Sequence, residues 1–102
     1  MIITSKSTNI STFHEWFHED YFDNLNAYEK FLNWISSEFA LCQQYDAEDL
    51  LVYFPHGFFS IKKQVSQHNN IEYTIEVKSK CSKKGAQIFN KVKSVLTHIK
   101  TF

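Results

Sequence analysis

The sequence predicts a single α+β domain spanning residues 1–102, in which two N-terminal helices precede a three-stranded antiparallel β-meander and a C-terminal amphipathic helix packs on the sheet. Two observations predict this class. Apolar residues recur at helical spacing before residue 43 and after residue 82, and a hairpin signal followed by strict alternation lies between them. Ten phenylalanines, five tyrosines and two tryptophans supply a core, which 102 residues can bury without disulfides.

Capping signatures mark the two predicted N-terminal helices. Thr12 followed by Glu15 has capping-box spacing, which predicts a first helix from Phe13 to about Phe22. The same signature recurs at Asn26 and predicts a second helix. Its apolar stripe comprises Tyr28, Phe31, Leu32, Ile35, Phe39 and Cys42. Residues 1–12 are rich in Ser, Thr and Asn and are expected to form a loop or a short edge strand.

The stretch from Leu50 to Ile61 predicts a β-hairpin, because Pro55 and Gly57 separate two apolar runs. A three-residue loop closed by Gly57 in the left-handed conformation would place Phe54 opposite Phe58. In that register Leu51 and Tyr53 face the core, and both phenylalanines lie on the other face, where they are covered by the N-terminal helices or exposed.

The clearest alternation of apolar and polar residues in the sequence follows the hairpin. Ile71, Tyr73, Ile75 and Val77 alternate with polar residues, which predicts a third strand with one face in the core and places Ile61 opposite Ile75 or Val77. Ser82 can cap a final helix from about Lys83 to Thr101. Its apolar stripe comprises Ile88, Phe89, Val92, Val95, Leu96 and Ile99.

Charge is segregated along a chain whose net charge is zero. Nine acids and two lysines lie before Leu51, whereas seven lysines and no acid follow Glu76. All eleven cationic residues are lysines, and the chain contains no arginine. Arginine is the residue best suited to bidentate phosphate and guanine recognition, so its absence argues against a nucleic-acid partner. A Lys-mediated nucleic-acid binder remains an alternative, with a solvated helix surface as the ordinary explanation of the lysines.

His14-Glu15-Trp16-Phe17-His18 matches the pattern HExxH, in which two histidines one helical turn apart bind zinc and the glutamate acts as general base. The stretch resembles the active-site helix of the zinc metallopeptidases. That resemblance implies His14, His18 and Glu38 as zinc ligands and Glu15 as the base of a zinc-dependent hydrolase. The ordinary alternative is a solvated His/Glu face of a helix, and no metal or other cofactor is then expected.

The two cysteines form no CxxC pair, and no arrangement of a nucleophile with a base stands out, so the sequence favours a non-enzymatic protein without deciding the point. With neither a signal peptide nor a membrane span in view, we expect a cytoplasmic protein.

The leading hypothesis is a small protein-binding module that acts as an intracellular inhibitor: an immunity protein against a toxin, an antitoxin, or a phage-type inhibitor of host defence. An acidic helical face and an apolar hairpin patch would contact the protein partner. The candidate residues are Glu15, Glu19, Asp20, Asp23, Phe54, His56 and Phe58. The sequence does not determine the oligomeric state.

Overall fold

The computed structural model describes residues 13–45, 49–64 and 70–101, and the loop or edge strand expected within residues 1–12 lies outside these ranges. It is an α+β fold with five strands and two helices in the described residues. The elements in chain order are β1 (His14–Phe22), α1 (Leu25–Glu38), β2 (Gln43–Tyr45), β3 (Leu50–Phe54), β4 (Gly57–Lys63), β5 (Ile71–Ser79) and α2 (Ser82–Lys100).

The five strands form one antiparallel sheet in the order β1-β5-β4-β3-β2. Strands β2 to β5 form a meander of sequence neighbours. Strand β1 returns from the start of the chain to pair with β5 over nine residue pairs, from His14 with Ser79 to Phe22 with Ile71. The predicted three-stranded meander is therefore too small, because β2 and β1 extend it on both sides.

Residues 14–22 form a strand, so the predicted first helix is wrong. Apart from its two glutamates, this segment consists of His, Trp, Phe, Asp and Tyr residues, which have modest helix propensity, and its aromatic residues fit a pleated surface. The capping-box spacing of Thr12 and Glu15 was the misleading signal. The acidic residues assigned to a helical face lie instead on and directly after a strand.

The second predicted helix and the C-terminal helix are confirmed as α1 and α2, and both contribute to the core on one face of the sheet. Helix α1 begins after Asn24, whose side chain accepts a hydrogen bond from the Ala27 amide. The cap of α2 is Cys81 rather than the predicted Ser82. The core residues contributed by the helices are Tyr28, Phe31, Ile35, Ile88, Val92, Val95, Leu96 and Ile99.

The hairpin is present, but its predicted register is wrong by one residue. Phe54 pairs with Gly57, and Tyr53 pairs with Phe58, so the loop has two residues. His56, not Gly57, has the positive φ, at 74°. With Pro55 before it, this is the negative-then-positive pattern of a type II turn. Gly57 is needed for close packing, because a Cβ at this position would clash with the carbonyl oxygen of Lys78 on the neighbouring strand β5.

The corrected register turns Leu50, Val52 and Phe54 toward the helices, where they are buried with Phe59 and Ile61. The open question about Phe54 is thereby answered: it belongs to the core. The alternation of β5 is confirmed, and Ile61 lies opposite Ile75 as predicted.

Two buried tyrosines lie side by side between the helices and the sheet. The rings of Tyr28 and Tyr73 are 5.6 Å apart. The Tyr73 hydroxyl has no hydrogen-bond partner among the described residues, whereas the Tyr28 hydroxyl faces the Asp49 carboxylate. Burial raises the pKa of both phenols above the usual range, and the nearby carboxylates Asp49 and Asp20 add to the rise for Tyr28 and Tyr73 respectively.

Candidate functional site: the open face of the sheet

The helices cover one face of the sheet and leave the opposite face uncovered by any described element. Because side chains alternate along a strand and partner residues share a face, the register assigns each residue to one of the two faces. Below, "the open face" means the side of the sheet away from the helices. Its residues are Glu15, Phe17, Glu19 and Tyr21 of β1, Glu72, Thr74, Glu76 and Lys78 of β5, Phe58, Ser60 and Lys62 of β4, Leu51 and Tyr53 of β3, and Gln43 and Tyr45 of β2.

One half of the open face carries an aromatic cluster formed by Tyr45, Tyr53 and Phe58. The Tyr45 and Tyr53 rings meet edge to face at 5.9 Å, and Tyr53 lies 5.8 Å from Phe58. Next to the cluster, the short side chain of Ser60 contributes to a depression of about 450 Å³, with Leu51 also in its wall. Tyr45 and Tyr53 remain exposed, so this cluster offers apolar surface to a binding partner.

The other half of the open face is an acidic and aromatic strip along β1 and β5. Glu15, Phe17, Glu19 and Tyr21 succeed one another along β1, and Phe17 and Tyr21 are 57% and 48% exposed. Across from Tyr21 lies Glu72, a further carboxylate. No ion pair joins Glu15, Glu19 or Glu72 to another charged residue in the described parts of the chain. The strip therefore combines exposed rings with four carboxylates and one lysine, Lys78, which lies directly opposite Glu15.

On the helix side of β1, Asp20 forms a polar cluster with His18 and Lys100. The Asp20 carboxylate accepts a hydrogen bond from Lys100 Nζ at 2.8 Å and contacts His18 Nε2 at 3.2 Å. Burial alone would raise the pKa of Asp20, but hydrogen bonds from Lys100, the Tyr21 amide and His18 together lower it below the usual value. Asp20 thus links β1 to the end of α2 and does not lie on the open face with Glu15 and Glu19.

The remaining sequence-predicted residues are scattered. Asp23 is exposed in the turn before α1, and His56 is exposed at the tip of the β3–β4 hairpin. Phe58 is half-buried on the open face, whereas Phe54 is buried in the core and cannot anchor a partner. The structure therefore brings Glu15, Glu19 and Phe58 to one face and separates the others from them.

The HExxH residues do not have the helical geometry that the pattern requires. On a strand, His14 and His18 share a face but are about 13 Å apart along the chain direction, and Glu15 points to the opposite face. Glu38 lies at the end of α1, where it pairs with Lys91 at 3.6 Å. Among the described residues, no three His, Cys, Asp or Glu side chains lie close enough to hold a metal ion.

Several of the late lysines contact other parts of the chain. Lys91 pairs with Glu38, Lys100 with Asp20, and Lys78 with Glu76 at 3.7 Å. Lys93 lies 5.5 Å from the centre of the Phe89 ring and Lys80 lies 5.7 Å from that of Phe13. These contacts use part of the positive charge within the fold.

Neither helix in the described residues is long and apolar enough to cross a membrane. Comparison with the models of known protein families and with curated protein sequences finds no match.

Proposed function

We propose that the protein is a small non-enzymatic binding module that docks a partner protein on the open face of its sheet. The observation that carries the proposal is this uncovered face, on which Phe17, Tyr21, Tyr45 and Tyr53 are 43% to 57% exposed. Exposed aromatic residues on a rigid sheet are typical anchors of protein interfaces, since they bury a large area at low entropic cost.

The size and charge of the face favour a separate partner over a second copy of the chain. The five strands contain between 3 and 9 residues each. At about 3.3 Å per residue and about 4.8 Å between strands, they give an area of roughly 500 Å² on each partner, below what obligate dimers bury. Glu76 lies opposite Ser60, the middle residue of the central strand β4, whereas the centres of obligate interfaces are depleted of charge.

The biological role that suits such a module is occupancy of a target's surface inside the cell. We propose a small inhibitor of the immunity-protein, antitoxin or phage anti-defence type, acting in the cytoplasm. Two features of the domain support this role. The uncovered face of the sheet is a broad surface on which a partner could dock, and the described residues include no arrangement of a nucleophile with a general base. Glu15 and Glu19 lie on that face, as an acidic contact surface for a basic target requires.

The test compares affinity capture by the wild-type chain with capture by Tyr53→Ser and Phe58→Ser variants. If the open face binds the partner, each substitution weakens binding at least tenfold, because anchors at an interface centre typically contribute that much. Leu41→Ser is the matched control, since Leu41 is a fully exposed apolar residue away from the open face. Capture that all three variants retain equally would contradict the proposal.

A further inference from the structure

The two edge strands of the sheet differ in length and in protection. Strand β2 has three residues, whereas β1 has nine and forms pairs with β5 along its whole length. No described strand pairs with the outer edge of β1. A long edge strand presents backbone N–H and C=O groups that can accept an additional strand.

The hydrogen bonds of Tyr21 reveal which backbone groups point to this outer edge. The Tyr21 amide donates to the Asp20 carboxylate at 2.8 Å, and its carbonyl oxygen accepts from Lys100 Nζ at 2.9 Å. Residues with outward backbone groups alternate along an antiparallel strand, so Glu15, Phe17 and Glu19 also present N–H and C=O to the outer edge. Asp20 and Lys100 occupy the edge at Tyr21, and no described residue pairs with it from Glu15 to Glu19.

The side chains of the same three residues set the chemistry of a strand that would pair there. Glu15 and Glu19 flank the exposed Phe17 ring on the open face, and neither carboxylate has an ion-pair partner in the described residues. Side chains of directly opposed residues on neighbouring strands lie about 5 Å apart. A lysine or arginine at that distance could pair with a carboxylate and place its methylenes or its cation against the ring.

We propose that an extended segment of the partner protein, with lysine or arginine at alternate positions, adds to the outer edge of β1 between Glu15 and Glu19. This inference rests on the proposed function and specifies its partner. A second copy of β1 is a poorer occupant, because it brings the same two glutamates and no lysine to the edge. Polyanions are excluded by the same carboxylates.

The direct test uses a fluorescently labelled peptide of alternating lysine and valine, with the nine-residue length of β1, and measures its anisotropy with the full-length chain. We expect saturable binding that weakens as salt is raised. A peptide with glutamate in place of lysine should not bind. A lysine peptide N-methylated on the amides that face β1 should bind at least tenfold more weakly, since its side chains are unchanged but its strand hydrogen bonds are lost.

A pair of protein variants tests the contribution of the β1 backbone to peptide binding. Phe17→Pro and Phe17→Ala both remove the ring, but only proline removes the outward N–H, which is not part of the ladder with β5. We expect the proline variant to bind the lysine peptide about three- to tenfold more weakly than the alanine variant. If the proline variant fails to fold, the N-methylated peptide decides the point alone.

The charge contribution is tested by the double variant Glu15→Gln and Glu19→Gln. It should weaken binding and reduce its salt dependence, whereas Glu29→Gln, at an exposed position on α1, should leave both unchanged.

Three results would overturn strand addition at β1: absence of binding at about 1 mM lysine peptide, equal affinity for the N-methylated peptide, or equal affinity of the Phe17→Pro and Phe17→Ala variants. Self-association of the chain that Phe17→Pro abolishes would assign the edge to a second copy instead. The Tyr53 and Phe58 variants lie on β3 and β4, away from this edge, so open-face docking and strand addition can fail separately.

Discussion

The two faces of the same sheet have different side chains because only one of them is covered. On its covered face, β5 contributes Tyr73, Ile75 and Val77, all fully buried, whereas its open face carries Glu72, Thr74, Glu76 and Lys78. The exposed rings of the open face lie on β1, on one side of β5, and on β2 and β3, beyond β4 on the other side. They therefore flank the charged side chains of β5, which divide them into two smaller apolar areas.

The largest expected effect contrasts one phenylalanine from each face. Phe59→Ala removes a fully buried ring that meets Phe39 edge to face at 5.0 Å, and we expect it to lower the free energy of unfolding by about 3 to 5 kcal/mol. Phe17→Ala, on the open face, should lower it by less than about 1 kcal/mol. Urea unfolding of both variants measures the difference. Similar losses would mean that an undescribed part of the chain covers Phe17.

The buried tyrosines of the covered face should make the stability of the fold depend on pH in the alkaline range. The pKa of Tyr28 and of Tyr73 is raised in the folded chain, so the unfolded chain releases these protons first as pH rises. The free energy of unfolding should therefore fall above pH ~10, by up to about 1.4 kcal/mol per pH unit for each tyrosine.

Urea unfolding between about pH 8 and 11 measures this slope. The double variant Tyr28→Phe and Tyr73→Phe should flatten it, because it removes both hydroxyls whose pKa is raised by folding. Tyr53→Phe removes a hydroxyl from the open face and is the matched control. A slope unchanged by the double variant would show that other groups cause the alkaline loss.

The smallest expected effect concerns the Asp20–Lys100 contact where β1 meets α2. The pKa of Asp20 is lowered in the folded chain, so its stabilisation is present near neutral pH and disappears as pH falls below about 4. Asp20→Asn should cost about 0.5 to 1 kcal/mol at pH ~7 and less at pH ~3. Asp23→Asn, an exposed neighbour, is the control. Equal losses at both pH values would assign the effect to packing.

The parts of the fold that the sequence predicts well are those in which one face of an element is apolar and the other polar. The apolar residues from Ile71 to Val77 recur at every second position, which indicates a strand. Those of α2 recur every three or four positions, which indicates a helix. The hairpin is different, because Leu50 to Phe54 are all apolar and both parities can be justified. Its register then depended on the turn, where His56 adopts a positive φ that glycine adopts more readily.

The candidate site was only partly predictable, because the sequence misplaced the hairpin register and the secondary structure of β1. Charge identifies Glu15 and Glu19 and the hairpin signal identifies Phe58, but the shifted register assigns Tyr53 to the core. The helical interpretation of β1 also misses Phe17, because a helix would place it on a different side from Glu15 and Glu19. Tyr45 lay in a stretch with no strand signal, since β2 has only three residues. The signal that could have revealed β1 was its composition, in which aromatic and histidine residues outnumber good helix formers.

The pairing of β1 with β5 has a consequence for the order of folding. His14 pairs with Ser79, although 65 positions separate them in the sequence (79 minus 14), whereas β2 to β5 pair with sequence neighbours. Local hairpins cost less loop entropy, so we expect the meander to form first and β1 to join last. During synthesis β1 leaves the ribosome long before its partner strand exists. A partner that pairs with the outer edge of β1 would therefore meet its site only on chains in which β5 has been synthesised and has paired with β1.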